Sequence, residues 1–175
     1  MIRIILLGYM GAGKTTLGKV LANELNLPFY DLDWYIEERY RQTISQLFEK
    51  YGESGFREIE QKMLHEVAEF EDVIISSGGG TPCFFDNITY MNQQAQTVYL
   101  KAEPEILGQH LCMSKTERPL LKNKTQEEIK QYITDSLAQR EPFYSQARYH
   151  FQIPLLDNNE KIKDSARKLR ELLNI

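Results

Sequence analysis

Eight residues near the start of the chain carry the clearest chemical signal. Residues 8–15 read Gly-Tyr-Met-Gly-Ala-Gly-Lys-Thr and fit the pattern G-x-x-x-x-G-K-[ST], the phosphate-binding P-loop. The glycines let the backbone turn sharply and approach an anion, because no Cβ is in the way. Lys14 adds a mobile charge for phosphate oxygens, and the hydroxyl of Thr15 can hold Mg²⁺. The spacing therefore predicts a triphosphate site whose contacts come from six residues: Gly11, Ala12, Gly13, Lys14, Thr15 and Thr16.

The segments on either side of this loop are those that the motif requires. Residues 2–7 form a β-branched, apolar run that suits a buried parallel strand. Within 16–25, Leu17, Leu21 and Leu25 share one face of a helix. Strand, loop and helix in this order argue against an accidental match in a glycine-rich turn.

Two carboxylates lie at the end of the predicted second strand, residues 27–33. Asp31 and Asp33 lie at its carboxyl end, the edge at which ligands of open α/β sheets bind. A spacing of two directs both side chains the same way if the strand persists, toward the triphosphate site. The alternative is an exposed turn in which Asp33 caps a helix over 34–40.

A cation and a run of glycines form the next candidates. Arg57 begins a predicted helix, where a positive charge is disfavoured unless an anion is near. That anion is either a ligand or Glu60, in a solvated i,i+3 salt bridge. Residues 78–80 are three glycines after a buried strand, which marks a close approach to the backbone or a plain flexible turn. The strand ends in Ser77, where many P-loop proteins carry aspartate, so we expect Asp31 to serve Mg²⁺ instead.

The last third of the chain contains two further arginines. Residues 114–124 break all periodicity and carry four cations, which is typical of a mobile lid or of a merely solvated loop. Arg118 stands before proline, in an extended dipeptide that can present a guanidinium to phosphate. Arg140 lies in the predicted helix 125–147, and its spacing alone favours the surface. Three histidines are dispersed without metal-ligand spacing and are expected to be structural: His65, His110 and His150.

The composition sets limits on the class of protein. With 175 residues, the chain has the length of one ordinary domain. Its formal net charge of −4 gives no general attraction to nucleic acid or to an anionic membrane. No apolar run approaches the roughly 20 residues of a membrane span, and Met1 leads directly into the first strand, so we expect a cytoplasmic protein. Cys83 and Cys112 are isolated thiols, which indicates ordinary packing in a reducing compartment.

Together these segments resemble the shikimate kinases, within the P-loop fold that is typical of nucleoside monophosphate kinases. The resemblance runs from Ile4 to about Ile153. Each motif except the first is a weak signal by itself, but together they are specific to this family. The motifs are residues 8–15, Asp31-Leu-Asp33, Gly55-Phe-Arg57-Glu-Ile-Glu60, Gly78-Gly-Gly80, Arg118-Pro-Leu-Leu121 and Arg140-Glu-Pro-Phe-Tyr144.

The resemblance implies an α/β fold of three layers, αβα, around a central five-stranded parallel sheet. It also implies a single kinase domain with a helical substrate-binding insertion at about 32–60 and a lid at about 114–124. The core of the domain would comprise 1–31, 71–113 and 125–175.

The same resemblance implies the reaction, which is transfer of the γ-phosphoryl group of MgATP to the 3-hydroxyl of shikimate, in aromatic amino acid biosynthesis. Asp33 would orient that hydroxyl, Arg57 and Arg140 would hold the carboxylate, and Gly79 and Gly80 would approach the ring. Shikimate and ATP would be the partners of a monomer, with no nucleic acid or membrane partner.

The resemblance also assigns the phosphoryl and metal groups. Lys14, Asp33 and Arg118 would be catalytic, with Arg118 closing onto the phosphates together with the lid. Thr15 would bind Mg²⁺ directly and Asp31 through water. Residues 154–159 lie where the family contacts adenine, but they match in position more than in residue type.

Two other functions remain open at this point. A gluconate kinase, or another small-molecule kinase of the same fold, would also need paired arginines for a hydroxy acid. A non-catalytic nucleotide-binding switch would need the P-loop, but it would have no use for Asp33 and Arg57.

Overall fold

A computed structural model describes residues 1–114 and 121–175 of the chain. Within these ranges, strands and helices alternate. The strands are β1 (Arg3–Leu7), β2 (Phe29–Asp31), β3 (Val73–Ser76), β4 (Gln96–Lys101) and β5 (Tyr149–Gln152). The helices are α1 (Lys14–Leu25), α2 (Leu32–Tyr40), α3 (Ile44–Val67), α4 (Asn87–Gln94), α5 (Pro104–Met113), α6 (Gln126–Tyr144) and α7 (Asn159–Leu173). None of these helices combines the length and the apolarity that a membrane crossing needs.

The five strands form one parallel sheet in the order β2-β3-β1-β4-β5. β1 lies at the centre because Ile4, Ile5, Leu6 and Leu7 are all fully buried, as a strand covered on both faces requires. Together with the flanking helices, this confirms the predicted αβα architecture. The order also brings the carboxyl ends of β1, β2 and β3 side by side, so the segments that follow them meet at one edge.

The passage from β2 to α2 differs from the prediction. The strand ends at Asp31, and the helix begins at Leu32, two residues earlier than expected. The carboxylate of Asp31 accepts hydrogen bonds from the backbone N–H groups of Asp33 and Trp34, so Asp31 caps the helix. The cap considered for Asp33 is therefore wrong, and Asp33 lies in the first turn of α2.

The two long helices that follow are delimited by local signals. A capping box formed by Thr43 and Gln46 opens α3, and Gly52, with a φ of 71°, breaks its helical conformation in the middle. A capping box formed by Thr125 and Glu128 opens α6, where the predicted helix 125–147 begins. That helix runs through Pro142 and ends at Tyr144, three residues before the predicted end.

Candidate active site

The loop between β1 and α1 places its lysine across its own backbone. Gly13, which precedes α1, has a φ of 92°, a conformation that a residue with a side chain rarely adopts. The Nζ atom of Lys14 donates hydrogen bonds to the backbone oxygens of Gly8 (2.8 Å) and Tyr9 (2.9 Å). The ammonium group is thus held over the loop, where phosphate oxygens would bind.

A hydroxyl and a carboxylate meet beside this loop. Thr15 Oγ1, in the first turn of α1, donates a hydrogen bond to Asp31 Oδ2 over 2.8 Å. Both are hard oxygen donors of the type that Mg²⁺ prefers. Among the described residues, no group of three or more His, Cys, Asp and Glu side chains could hold a metal ion. The pair of Thr15 and Asp31 fits a cation that takes its other oxygens from phosphates and water.

Asp33 faces the glycine segment from the first turn of α2. Its Oδ1 atom lies 3.1 Å from the position that a Cβ on Gly78 would occupy. Burial, together with the nearby charges of Asp31 and Glu60, raises the pKa of Asp33 to about 6. A carboxylate with this pKa is ionised at neutral pH and is still basic enough to accept a proton from a hydroxyl group.

Each of the next two glycines faces a different arginine. A Cβ on Gly79 would lie 3.2 Å from Nη1 of Arg140, and a Cβ on Gly80 would lie 2.8 Å from both Nη atoms of Arg57. The two guanidinium groups therefore approach consecutive peptide units, and glycine leaves room for them. The surface position that spacing alone favoured for Arg140 is wrong, because α6 directs this side chain toward the glycine segment.

Arg57 is oriented by a buried carboxylate. Its Nη1 atom bonds Oε1 of Glu60 at 2.9 Å, and Glu60 is only 2% exposed. The other oxygen of Glu60 accepts a hydrogen bond from Oγ1 of Thr81 over 2.9 Å. The i,i+3 pair considered as an alternative for Arg57 is thus present, but it is buried beside the glycines and not solvated. It positions the arginine without occupying all its N–H groups.

Aromatic rings enclose the same guanidinium group. Phe48 and Phe56 stack with their centroids 4.3 Å apart, and the Cζ atom of Arg57 lies 4.1 Å from the ring centroid of Phe84. These contacts restrict the arginine to one orientation and provide apolar walls beside the glycine segment.

One cleft connects these groups. It has a volume of about 730 Å³ and is lined by the P-loop, by Asp31 and Asp33, and by Gly78 and Gly79. The phosphate-binding loop lies at one end, and Asp33 and the glycine segment, which the guanidinium groups of Arg57 and Arg140 approach, lie at the other. Such a cleft can bring a triphosphate and a small, polar, anionic acceptor together.

His110 also lines the cleft, although the sequence did not place it in the site. Its Nδ1 atom lies 2.6 Å from the backbone oxygen of Gly11, and its Nε2 atom accepts a hydrogen bond from the backbone N–H of Leu156 over 2.9 Å. Because Nε2 is the acceptor, the ring proton must be on Nδ1. His110 is thus structural, as predicted. Its two hydrogen bonds connect the P-loop with the segment after β5.

Comparison with known proteins decides the family. The shikimate kinase family model matches residues 10–173. The chain belongs to the shikimate kinase family. The shikimate kinase of Phocaeicola vulgatus is 56% identical over 99% of both chains. That of Bacteroides fragilis is 54% identical over all of this chain and 98% of the other.

Solved structures of shikimate kinases share the fold. The crystal structure of the Bacteroides thetaiotaomicron shikimate kinase has a TM-score of 0.96 at 52% identity, with 99% of both chains covered. That of the Acinetobacter baumannii shikimate kinase in complex with shikimate has a TM-score of 0.83 at 35% identity, over 99% of this chain and 94% of the other. The family consists of ATP-dependent kinases, for which ATP is a co-substrate.

Most of the predicted site residues that can be described line one cleft in this fold: Gly11, Gly13, Lys14, Thr15, Thr16, Asp31, Asp33 and Gly79. Arg57 and Arg140 approach it through Gly80 and Gly79. Arg118 and most of the predicted lid, residues 115–120, lie outside the described residues. The sequence missed two tyrosines next to Arg140. The ring of Tyr9 lies 5.4 Å from the Arg140 guanidinium, and the hydroxyl of Tyr144 donates a hydrogen bond to the backbone oxygen of Gly79. Both tyrosines lie within the motifs of the family resemblance, and this is the signal by which the sequence could have identified them.

Proposed function

We propose that this chain is a shikimate kinase that converts MgATP and shikimate to ADP and shikimate 3-phosphate. One observation carries the proposal: Arg57, Arg140 and Asp33 approach three consecutive glycines at the end of a cleft that begins at the P-loop. Shikimate is a small ring with one carboxylate and three hydroxyls. It needs cations at one end and a carboxylate acceptor at the other, and this set of groups supplies both.

The acceptor would be bound by groups that the fold already holds in place. Arg57 and Arg140 bind the shikimate carboxylate through charge-assisted hydrogen bonds. Gly79 and Gly80 let the ring approach the backbone. Asp33 accepts a hydrogen bond from the 3-hydroxyl and directs its oxygen toward the P-loop.

The transfer requires little covalent chemistry from the protein. The 3-hydroxyl oxygen forms a bond to the γ-phosphorus as the bond from that phosphorus to the β,γ-bridging oxygen breaks, and the electron pair leaves with ADP. The hydroxyl proton passes to Asp33, whose raised pKa suits this role. Lys14 exchanges its loop carbonyls for phosphate oxygens and opposes their growing charge.

Thr15 and Asp31 would hold Mg²⁺, Thr15 directly and Asp31 through water. When bound, the ion neutralises charge on the β- and γ-phosphate oxygens. The hydrogen bond between these two residues keeps their oxygens side by side, so the protein donors are arranged before the nucleotide arrives.

We also propose a division of labour within the single domain. Residues 32–60, which contain α2 and much of α3, form the substrate-binding insertion because they supply Asp33, Arg57 and Glu60. Residues 114–124 form the lid, and Arg118 would close with it onto the phosphates and exclude water.

An assay of ADP release with shikimate or gluconate as acceptor tests the function. Shikimate-dependent turnover is expected, and a Lys14→Met variant serves as the blank. Absence of turnover with shikimate would refute the proposal. Turnover with gluconate alone would indicate a gluconate kinase, and nucleotide binding without transfer to either acceptor would indicate a switch.

A further inference from the structure

A buried tyrosine stands behind the acceptor site. Tyr144, the last residue of α6, has no exposed surface, and its Oη atom lies 2.6 Å from the backbone oxygen of Gly79. A phenol has one proton, and this contact uses it, because a carbonyl oxygen can only accept. The hydroxyl therefore fixes the peptide unit that follows Gly79, whose N–H belongs to Gly80.

The same hydroxyl also faces Arg140, which lies one helical turn earlier. Burial raises the pKa of Tyr144, and the Arg140 guanidinium acts in the opposite direction. With its proton committed to Gly79, the phenolic oxygen presents only lone pairs to the arginine. Tyr144 thus lies between two components of the acceptor site: the Gly79 backbone and the Arg140 side chain.

Arginine has many rotamers, and holding one of them costs free energy. Here the Cζ atom of Arg140 lies 5.4 Å from the ring centroid of Tyr9. Its Nη1 atom lies 3.2 Å from the position that a Cβ on Gly79 would occupy. The Tyr144 hydroxyl reaches the same Gly79 that the Arg140 guanidinium approaches, so its oxygen stands where it can offer the arginine a polar contact that an aromatic ring cannot. This leaves Arg140 set toward the glycine segment before any ligand binds.

We propose that Tyr144 is a positioning residue for the acceptor: its hydroxyl holds the Arg140 guanidinium and the Gly79 peptide in the orientation that receives the shikimate carboxylate and ring. The inference rests on the proposed function, since it names what Arg140 binds. Tyr144 itself need not touch the ligand.

A second buried tyrosine offers a matched control. Tyr99, in β4, is 1% exposed, and its ring centroid lies 5.2 Å from that of Tyr144. Its hydroxyl donates to the carboxylate of Glu141, which also pairs with Lys101 at 3.3 Å. The two hydroxyls therefore share one aromatic cluster, but only that of Tyr144 leads to the glycine segment.

The test compares Tyr144→Phe with Tyr99→Phe in steady-state assays. Loss of a hydrogen bond that orients a charged group predicts about a tenfold rise in KM for shikimate in Tyr144→Phe, with KM for ATP within about twofold of the wild type. In Tyr99→Phe both constants should stay within about twofold. An unchanged KM for shikimate in Tyr144→Phe, or equal rises in both constants, would overturn the proposal.

The shikimate carboxylate itself provides the second arm. Shikimate amide cannot form the ion pair with Arg140, so Tyr144→Phe should weaken its binding by less than about threefold. The sole tryptophan, Trp34, is 51% exposed and lines the cleft beside Asp33, so its fluorescence can report binding at low temperature without turnover. If Tyr144→Phe weakened the binding of shikimate and of its amide equally, the hydroxyl would act only through general packing. A wild type inactive on shikimate would instead refute the proposed function.

Discussion

The proposed active site has two halves, one for the phosphates and one for the acceptor, and they are built in different ways. The phosphate half consists of consecutive residues, and its contacts are mostly backbone groups at the junction of β1 and α1. The acceptor half takes Asp33 from α2, Arg57 from α3, its glycines from the segment after β3 and Arg140 from α6. One half is therefore set by local conformation, and the other by the order of the strands.

This difference separates what each half can recognise. Backbone N–H groups at a helix N-terminus bind any phosphate chain, so the phosphate half is general. Side chains from separate elements can match the positions of one carboxylate and one hydroxyl, so the acceptor half is selective. Substitutions in one half should therefore affect the binding of one substrate and spare that of the other.

The largest effect is expected for Lys14→Met. Removing the charge that opposes the phosphoryl oxygens should lower kcat by about 10³-fold with any acceptor. Shikimate binding, followed by Trp34 fluorescence, should stay within about twofold. Lys168→Met on α7, where the lysine forms a surface pair with Asp164, is the control and should match the wild type. A parallel loss of shikimate affinity in Lys14→Met would show that the two halves are not separable.

The next effect concerns the base. Asp33→Asn should lower kcat by about 10²-fold or more, because the amide cannot accept the hydroxyl proton. In the wild type, protonation of Asp33 should reduce kcat as the pH falls below about 6, and the variant should lack this dependence. Glu38→Gln, at an exposed position on the same helix, is the control and should keep the pH profile. A wild-type rate that is independent of pH from 5 to 8 would contradict the role of a base.

The same carboxylate has the opposite effect on stability. Its pKa is higher in the folded state than the ordinary 3.8, so the folded protein binds the proton more tightly than the unfolded chain. The stability gained by protonation is present at low pH and is lost as the pH rises through about 6. At pH 7.5 the Asp33→Asn variant should therefore have a higher Tm than the wild type while being less active, and an unchanged or lower Tm would contradict the burial cost.

The contrast between the halves also explains what the sequence could predict. The P-loop and the start of the helix at Thr125 were predictable because the residues that form each of them lie within a few positions of one another. The cap of α2 was misplaced because two aspartates two residues apart were both suitable, and only the end of β2 decides between them. In each case the information is local, and the error is one of boundary.

The contacts of Arg140 and His110 could not be read from spacing. Arg140 meets Gly79 only because α6 returns to the edge of β3, and the bond from His110 to Gly11 spans 99 residues of chain. Arg140 was recovered through the family resemblance, since it lies in a quoted motif. His110 has no such motif, and a lone histidine on a helix gives no signal of its own.

A smaller effect should follow from one methyl group. Gly80 has a φ of −89°, so Gly80→Ala introduces no backbone strain, but its Cβ would stand 2.8 Å from the Arg57 guanidinium. Displacing Arg57 should raise KM for shikimate about tenfold and leave KM for ATP unchanged. Gly108→Ala is the control, because its Cβ would meet only Ile133, at 3.8 Å. Equal changes in both KM values for Gly80→Ala would mean that the glycine segment serves both halves.

The smallest effect is expected where the phosphate half depends on a distant contact. His110→Phe keeps an aromatic ring but loses both hydrogen bonds, so the loop after β5 is no longer tied to Gly11. Loss of these contacts should raise KM for ATP about fivefold and leave KM for shikimate unchanged. His150→Phe, which removes an exposed histidine bonded to Ser145, is the control and should leave both constants unchanged. An unaltered KM for ATP would show that the P-loop needs no support from outside its own strand and helix. The phosphate half would then depend on local conformation alone. The expected rise in KM for ATP would instead show that the phosphate half also depends on the long-range contact made by His110.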